Sequence, residues 1–518
     1  MRITYVTSPD RMDEIHGEFD NAIERVRARF GQLHPMLIDG SAVTSNRTFA
    51  DVSPIDTRIV LGHFQKGDST HVDQAVAAAR RAFESWGRLP WRERVASMRR
   101  LSEAIRSDRW DLSVLMGFEC GKNRMECLGD VEESADLIDY YCDQIEQADG
   151  FLRPMQPLGP EERNASVLRP YGVWAVISPF NFPLALAAGP AGAALAAGNT
   201  VVIKPATTTP WIALRFGELA RDAGLPDGAL NVVTGSGAVL GQALIDHADV
   251  NGVVFTGSKE VGLKLLRENA ARATPRPVIT EMGGKNPAIV MPSADLDKAS
   301  DGVMRSAFGA QGQKCSACSR VLVHRDVRDR FIDALVAKTK QIRIGNPLDR
   351  DIYLGPVINE AAVRTFETAI TRATADGGRL LAGGGRISEE PWRHGHFVEP
   401  TIVDGLTVRH PIFKEELFVP VTAITTIASL DEAITIANAT EYGLTAGIFS
   451  EDGAELDEFF DRIEAGVTYA NRRAGATTGA WPGVNPFGGW KCSGSSGKGS
   501  GGPYYVQQFL REQSRVRA

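Results

Sequence analysis

The sequence predicts an α/β protein with two domains, each built around a doubly wound parallel sheet. Apolar segments typical of buried strands alternate with glycine-containing turns and helical segments from residue 170 to 282, and a second series begins near residue 281. Repeated strand, turn and helix units favour parallel sheets, with ligand phosphates at the helix N-termini beyond the carboxyl ends of the strands. The length of 518 residues leaves room for about three domains and a sizeable core.

The first unit lies in Pro170–Ile203, a stretch without any charged residue. Such a stretch can be interpreted as a membrane span. Prolines, asparagines and glycines interrupt it, however, and a continuous spanning helix is therefore not expected. We predict instead a buried β-α-β unit, with a strand at 173–177, a turn at 178–183, a helix at 184–198 and a second strand at 199–205.

Both series continue this alternation. The first series predicts a helix at 211–223, a strand at 229–233, a turn at 235–241 before another helix, a strand at 250–257, a helix at 258–270 and a strand at 276–282. The second series predicts a strand at 286–291, a helix ending at 308, a strand at 321–327, a helix at 327–342, and strands at 397–403 and 421–427. Ser293 is expected to cap the helix that ends at 308, because a serine hydroxyl accepts hydrogen bonds from the first N–H groups of a helix.

The two ends of the chain differ from the middle. Segment 68–107 has the helical period throughout, so the N-terminal region is predicted to be mostly helical. The tail from Pro486 is rich in glycine and serine and is predicted to be loop. Segment 506–518 is predicted to form a short strand or a terminal arm.

Composition argues against several classes of protein. Lys and Arg total 57 against 64 Asp and Glu, giving a net charge of −7 with mixed signs along the chain. That balance is not expected for a nucleic-acid-binding protein. Six cysteines are too few for a disulfide scaffold, and their spacing fits no zinc finger. Because the first twenty residues contain acidic side chains and no apolar segment, we expect a cytoplasmic protein without a membrane partner.

A candidate nucleophile lies in GAQGQKCSACSR (309–320). Cys315 follows a glycine- and glutamine-rich turn at the end of a predicted helix, where backbone N–H groups can be exposed. A thiol in such a place is nucleophilic if its thiolate is stabilised. Cys315 and Cys318 also form a C-x-x-C pair, which leaves a redox couple or half a metal site as alternatives. A buried, inert thiol is the remaining interpretation.

Two further residues stand where predicted strands end. Glu281 leaves an apolar strand and is followed by two glycines, and burial there would raise its pKa and suit it to general-base work. Asn181 lies in the turn SPFNFP, where its amide could donate a hydrogen bond to an oxyanion. The alternatives are a solvated surface carboxylate and a turn asparagine that bonds to its own backbone.

These segments resemble the aldehyde dehydrogenase superfamily in both motif and order, over nearly the whole chain. The matching segments are SPFNFP, GNTVVIKPA, GLPDGALNVVTG, FTGSKEVG, EMGGKNP, GQKCSACSR, EELF and NPFGGWKCSG. The resemblance implies the aldehyde dehydrogenase-like fold, with two doubly wound parallel-sheet domains and a small oligomerisation flap. It divides the chain into an NAD-binding domain at 1–145 and 167–280, a catalytic domain at 281–485, and a flap with a C-terminal arm at 146–166 and 486–518.

The resemblance also implies the reaction and its catalytic residues. Cys315 falls on the family's nucleophile, Glu281 on its general base and Asn181 on its oxyanion side chain. A thiolate would attack an aldehyde, hydride would pass to the nicotinamide, and the base would activate water to release the acid. No metal is needed.

The implied cofactor is NAD. By position, Lys204 contacts the adenosine ribose, Ser258 the pyrophosphate and Glu416 the nicotinamide ribose. The other positions expected at the cofactor are Ser178, Pro179, Phe180, Ala206, Thr207, Gly237, Thr256, Gly257, Val261, Gly283 and Phe418.

Within the superfamily, GQKCSACSR and TGAWPGVNPFGG are most similar to the subfamily that oxidises glutamate γ-semialdehyde, formed from 1-pyrroline-5-carboxylate, in proline catabolism. The resemblance places the substrate's α-carboxylate at the backbone N–H groups of Gly479 and Ala480 and the hydroxyl of Ser316. Such hydrogen bonds are charge-assisted and require no counter-ion. The other implied substrate positions are Phe182 and Phe487, which flank the aldehyde chain, and Glu133, which meets the ammonium group.

Two positions depart from the family pattern. Thr207 replaces a glutamate that reads the ribose hydroxyls in many members, and its loss removes a repulsion against a 2′-phosphate, so NADP is expected to be tolerated. Val419 stands where the family usually has glycine, and a slightly altered turn is expected beside Glu416 and Phe418 without loss of the contact.

Alternatives to this substrate remain open from the sequence. Another NAD(P)-dependent semialdehyde dehydrogenase, such as one for succinate semialdehyde, would use the same catalytic residues. A CoA-acylating relative would not need Glu281, and an inactive homologue would not need Cys315. The resemblance further implies a homodimer or higher homo-oligomer and a functional pairing with proline dehydrogenase.

Overall fold

The computed structural model describes residues 12–518, where helices surround two large sheets. The predicted lack of a signal segment concerns in part residues 1–11, which lie outside the described residues. The helices are α1 (Met12–Arg27), α2 (Ser69–Trp86), α3 (Trp91–Ser107), α4 (Arg109–Cys120), α5 (Arg124–Gln147), α6 (Ala185–Ala196), α7 (Pro210–Asp222), α8 (Gln242–Asp246), α9 (Lys259–Ala270), α10 (Leu296–Phe308), α11 (Arg328–Lys340), α12 (Glu360–Ala375), α13 (Leu430–Asn438) and α14 (Gly453–Arg462).

The strands belong to two seven-stranded sheets and three smaller ones. Those up to residue 204 are β1 (Gln32–His34), β2 (Met36–Ile38), β3 (Ser41–Val43), β4 (Thr48–Val52), β5 (Val60–Gln65), β6 (Leu152–Met155), β7 (Arg163–Pro170), β8 (Val173–Ile177) and β9 (Thr200–Lys204). The others are β10 (Leu230–Val232), β11 (Val250–Thr256), β12 (Val278–Glu281), β13 (Asn286–Val290), β14 (Cys318–His324), β15 (Arg379–Ala382), β16 (Thr401–Asp404), β17 (Val421–Ile427), β18 (Tyr442–Gly443), β19 (Thr445–Phe449), β20 (Val467–Ala470), β21 (Trp490–Lys491) and β22 (Leu510–Arg517).

The first large sheet has the strand order β12-β11-β8-β9-β10-β2-β3. The strands from β12 to β10 run parallel, and β2 and β3 extend the sheet in antiparallel pairs. The uncharged stretch Pro170–Ile203 supplies β8, α6 and most of β9, as predicted, and every residue of both strands is buried. Between residues 12 and 518, no helix has the length and apolar character needed to cross a bilayer.

The second large sheet has the order β15-β16-β17-β14-β13-β19-β20, with β15 as its antiparallel edge. The predicted Ser293 cap is wrong, because α10 begins only at Leu296 and the side chain of Asp295 accepts from the backbone N–H of Lys298. Ser293 Oγ accepts instead from the backbone N–H of Glu451 at 2.9 Å. The strand predicted at 397–403 is present as Thr401–Asp404.

The N-terminal region combines predicted and unpredicted elements. Helices α2 and α3 fill the predicted helical segment 68–107, but residues 32–65 hold five strands that the helical prediction missed. Three of these, in the order β1-β5-β4, form a small sheet, and β2 and β3 join the first large sheet. Each is three to six residues long, which is too short for a clear period in the sequence.

A separate three-stranded antiparallel sheet joins two distant parts of the chain. Strand β7 lies between β6 and the terminal β22, and it pairs with β22 from Arg163–Arg517 to Pro170–Leu510. We call this sheet the flap. The predicted terminal arm at 506–518 is thus mostly strand, paired along its length with the hairpin formed by β6 and β7.

Parallel strands place the candidate site at one edge of the first sheet. Strands β8, β9, β11 and β12 run in the same direction. Their carboxyl ends, and the residues that follow, therefore meet at one edge, where ligands bind in doubly wound sheets. Asn181 follows β8, Lys204 ends β9, Ser258 follows β11 and Glu281 ends β12.

Candidate active site

The loop that carries Cys315 has an unusual backbone. Helix α10 ends at Phe308, and Ala310, Gln311 and Gly312 then adopt positive φ angles of 46°, 57° and 66°. Non-glycine residues rarely adopt this region, and neighbouring structure must hold them there. Glu126 does so by accepting from the Ala310 backbone N–H at 2.7 Å, and Gln311 donates to the Gly121 carbonyl at 2.9 Å.

Cys315 lies partly exposed in a cavity of about 480 Å³. The side-chain amide of Asn286 donates to the carbonyls of Cys315 at 2.7 Å and Ala317 at 2.9 Å, which fixes the loop on strand β13. Cys318 lies instead in the core of the second sheet, where its Sγ donates to the Arg320 carbonyl. Both are free thiols, so the C-x-x-C pair consists of one accessible and one buried cysteine.

Asn181 is buried beside the Cys315 loop rather than in the cavity wall. Its Nδ2 donates to the Gln313 carbonyl at 2.9 Å. A side-chain amide carries two N–H donors, so one remains for another acceptor. The predicted turn asparagine is thus tied to the loop two residues before the thiol, not to its own turn.

Glu281 lines the same cavity as Cys315. It ends β12, where its carbonyl accepts from the Gly257 backbone N–H at 3.0 Å. Burial raises the pKa of its carboxyl to about 7, as expected for a carboxyl group that leaves an apolar strand. A carboxyl group with this pKa can both accept and release a proton near neutral pH.

The Cys315 thiol is not ionised by its surroundings. Burial first, and then the carboxylates of Glu416 and Glu281, raise the pKa of the thiol above its ordinary value. The expected stabilised thiolate therefore has no support in this arrangement. A base must take the proton when the sulfur attacks, and of the carboxyl groups in the cavity wall Glu281 is the one whose pKa burial raises to about 7.

Lys204 is a buried cation without an ion-pair partner in residues 12–518. Its side chain is 5% exposed, and burial lowers its pKa to about 8. A methyl group on Gly237 would lie 3.6 Å from Nζ, which places that glycine beside the ammonium. The hydroxyl of Ser178 is buried with no hydrogen-bond partner in the described part of the chain. These unsatisfied polar groups fit a polyhydroxy ligand such as a ribose.

Glu416 packs directly on a glycine backbone. Its Oε1 accepts from the Gly284 N–H at 2.9 Å, and a methyl group on Gly283 would lie 2.0 Å from Oε2. Burial raises the pKa of Glu416 to about 7. Phe418 has a positive φ of 58° and contacts Phe180 edge-to-face at 5.8 Å, while Val419 is buried.

The other predicted cofactor positions follow the strand ends. Ser258 caps α9 by accepting from the Val261 N–H, and Thr207 is exposed after β9. Within residues 12–518, none of the predicted cofactor positions lines the cavity that holds Cys315. The remaining positions are Pro179 in the turn after β8, Ala206 after β9, and Thr256 and Gly257 at the end of β11.

The predicted substrate positions, in contrast, all line the Cys315 cavity. They come from helix α5, from the turn before α6, from the Cys315 loop and from the tail after residue 478. They are Glu133, Phe182, Ser316, Gly479, Ala480 and Phe487.

Sequence reasoning missed three residues that support this cavity. Lys122 Nζ lies 3.9 Å from the centre of the Phe182 ring and pairs with Asp130 at 2.8 Å, both fully buried. Arg472 lines the cavity beside Gly479. In the sequence, Lys122 stands in CGKN and Arg472 in ANRRAG. Neither segment shows whether its side chain points towards the cavity. In residues 12–518 no cluster of three or more His, Cys, Asp or Glu could hold a metal.

Several known proteins are similar to this chain over most of its length. Residues 42–514 match the model of the aldehyde dehydrogenase family. A 1-pyrroline-5-carboxylate dehydrogenase of Geobacillus sp. (strain WCH70) is 37% identical over 494 residues, 94% of this chain and 93% of the relative. A solved 1-pyrroline-5-carboxylate dehydrogenase from Thermus with bound NAD has a TM-score of 0.93, 31% identity and 98% coverage of both chains. Proline utilization A from Bdellovibrio bacteriovorus has a TM-score of 0.92 and 34% identity, covering 97% of this chain and 51% of that one.

Proposed function

The chain belongs to the aldehyde dehydrogenase family, and from this membership and its site we propose that it oxidises glutamate γ-semialdehyde to glutamate with NAD. The substrate is the open form of 1-pyrroline-5-carboxylate, the compound named in relatives 37% identical over nearly the full length. The observation that carries the proposal is the single cavity that holds Cys315, Glu281 and every predicted substrate residue.

Cys315 forms the covalent bond to the substrate. Its sulfur attacks the aldehyde carbon, and Glu281 accepts the thiol proton because its pKa of about 7 leaves about half of it ionised at neutral pH. The free N–H of the Asn181 amide and the Cys315 backbone N–H donate to the oxygen that becomes negative. Such donors stabilise the charge only as it develops, which lowers the barrier.

NAD, when bound, supplies the acceptor for the hydride that leaves the aldehyde carbon. Lys204, Ser258 and Glu416 would hold it at the edge of the first sheet, where the buried Ser178 hydroxyl without a partner fits a ribose hydroxyl and the helix N-terminus at Ser258 fits phosphate. The acyl group then remains on Cys315 as a thioester. Glu281 first releases the thiol proton to solvent and then takes a proton from water, and the resulting hydroxide attacks the thioester. The Cys315 sulfur leaves with the electron pair and takes the proton from Glu281, and the acid that is released loses its own proton to solvent to give glutamate.

The amino acid end of the substrate lies further along the cavity. Gly479 and Ala480 present backbone N–H groups to the α-carboxylate together with the Ser316 hydroxyl. Glu133 faces the ammonium group from helix α5. The rings of Phe182 and Phe487 line the space between, which suits the methylene chain.

The test is NADH formation by the purified protein with pyrroline-5-carboxylate, compared with succinate semialdehyde. We expect a clear preference for pyrroline-5-carboxylate and no activity in Cys315→Ala. Cys318→Ala is the matched control, because this second thiol is buried away from the cavity, and it should retain activity. Preference for succinate semialdehyde would contradict the substrate but keep Cys315 as the nucleophile.

The proposal extends to partners and location. A homodimer or larger assembly is supported by the flap, where Leu152, Met155, Leu158 and Val516 are exposed. A functional pairing with proline dehydrogenase is supported by the match to half of proline utilization A. A cytoplasmic location is supported by the six free cysteines, since such thiols stay reduced there.

A further inference from the structure

Arg472 lies in the wall of the cavity that holds Cys315. Its guanidinium packs against Gly479: a methyl group on that glycine would lie 2.6 Å from Nη2, and the three nearest heavy atoms would all belong to Arg472. Gly479 itself has a φ of 102°. The cation is therefore in contact with the segment proposed to hold the substrate carboxylate.

The charge of Arg472 has no carboxylate partner in residues 12–518. Its Nη1 donates to the Thr478 carbonyl at 3.1 Å, and the guanidinium lies 5.2 Å from the centre of the Tyr469 ring. A guanidinium has five N–H donors. These contacts fix the direction of the side chain and leave several donors available.

Two other cations of the cavity wall have carboxylate partners. Lys314 Nζ lies 3.8 Å from Glu126, and Arg350 pairs with Asp20 at 2.6 Å. The cavity also contains Arg305, which is exposed. Arg472 is half-buried, and among these four it is the cation that contacts Gly479.

The neighbouring residue Arg473 points the other way, towards the surface, and is paired there. Arg473 is exposed and forms ion pairs with Asp297 at 2.8 Å and with Asp301 on helix α10. Of two adjacent arginines, one is thus neutralised at the surface, while the other points into the cavity and is left without a counter-ion.

We propose that Arg472 supplies the counter-ion for the carboxylate of the substrate and so determines specificity for aldehydes that carry an acid group. This inference rests on the proposed function. Arginine binds carboxylates through two parallel N–H donors, which fits a carboxylate held at the same time by backbone N–H groups. Glu133, in the same cavity, supplies the opposite charge, so the wall matches a zwitterionic amino acid end.

The experiment compares Arg472→Gln with Arg473→Gln, a matched control that removes the same group from the neighbouring residue. The substrates are pyrroline-5-carboxylate and butanal, an aldehyde without a carboxylate. We expect Arg472→Gln to raise KM for pyrroline-5-carboxylate roughly 10- to 100-fold, the loss of a charged hydrogen bond, with kcat/KM for butanal unchanged. Arg473→Gln should change neither value.

Two further measurements separate binding from folding. Arg472→Lys should restore part of the affinity, since it keeps the charge but not the paired donors. L-Glutamate should inhibit butanal oxidation by the native protein and inhibit Arg472→Gln at least tenfold more weakly, in line with the expected KM change.

The outcomes are distinct. If Arg472→Gln lowers activity on both aldehydes equally, the residue only supports the loop and the inference is overturned. An unchanged KM for pyrroline-5-carboxylate overturns it as well. If the native protein oxidises butanal but not pyrroline-5-carboxylate, and L-glutamate does not inhibit, the proposed function itself has failed.

Discussion

The carboxyl group of Glu281 is both placed in the cavity wall and given a raised pKa by its burial. The residue ends strand β12, lines the Cys315 cavity and has a pKa of about 7 because of burial. Both of its proposed steps require the ionised form. Since a raised pKa moves ionisation to higher pH, activity should depend on pH in the range where an ordinary glutamate would already be fully ionised.

The first prediction concerns this pH dependence. The rate should rise with pH, with a midpoint near 7, because below that pH Glu281 is protonated and cannot act as a base. The measurement is a profile of kcat with pyrroline-5-carboxylate, on the native protein and on Glu281→Gln. The variant should lose most of the activity and the rise near 7, and a native-like profile in the variant would assign the base to another group.

The second prediction concerns the cofactor's 2′ position. Thr207 is exposed after β9 and carries no charge that would repel a 2′-phosphate. NADP should therefore support the reaction, and Thr207→Glu should reduce kcat/KM with NADP roughly tenfold or more through like-charge repulsion, with NAD little affected. Thr208→Glu adds the same charge one residue later and serves as the control; equal loss in both variants would argue for a general charge effect.

Residue identity was predictable where a motif carries it. Cys315, Glu281 and Asn181 stand in segments whose order resembles a known family, and all three lie at or beside one cavity. Arg472 was not predictable, because ANRRAG shows two equivalent arginines. Their different roles arise from the fold, which brings Asp297 and Asp301 to one and Gly479 to the other.

At the scale of elements, the junction of α5 and α6 supports one wall of the cavity. Asp130 of α5 accepts from the Ala185 N–H at the start of α6 and pairs with Lys122, which contacts the Phe182 ring. The three contacts fix two helices and one aromatic side chain together. The buried Lys122–Asp130 ion pair thus holds the Phe182 ring in its place in the cavity wall.

The third prediction tests that junction. Asp130→Asn should destabilise the protein by about 3–5 kcal/mol, because it leaves Lys122 buried without its counter-ion. Unfolding in urea measures the change. Asp249→Asn is the control, since its pair with Arg80 is largely exposed and should contribute less than about 1 kcal/mol. Similar losses in the two variants would contradict the importance of burial.

Elements were predictable in proportion to their length and burial. Strands β8 and β9 are fully buried and were found as apolar runs, and the long α2 and α3 were found by period. Strands such as β3 have three residues, none of them buried, and give no pattern. The start of α10 was misplaced because Ser293 and Asp295 are both good caps and only the backbone decides between them.

On the scale of the whole molecule, the flap exposes apolar side chains that nothing in a single chain covers within residues 12–518. Its strands, with the connection between β6 and β7, leave Leu152, Met155, Leu158 and Val516 exposed by 48%, 55%, 97% and 66%. Exposed apolar side chains grouped in this way are typical of protein interfaces. Sequence composition gave no sign of this grouping, because Val516 lies more than 350 residues after the other three in the chain.

The fourth prediction follows from the flap. The double variant Leu152→Glu with Val516→Glu should shift the protein towards a smaller assembly, because charges would be buried at the interface. Sedimentation velocity measures the mass. Leu33→Glu introduces a charge at a residue 58% exposed on β1, outside the flap, and should leave the assembly intact. An unchanged mass in the double variant would exclude the flap as the interface.

Within residues 12–518, no predicted cofactor position is part of the wall of the cavity that holds Cys315. Substitutions in one wall therefore need not disturb the other. Over evolutionary time, the choice of aldehyde and the choice of dinucleotide can drift independently, each through its own few positions. A designer could in the same way exchange the acid-recognising end of the cavity for an apolar one and keep the redox half of the enzyme as it is.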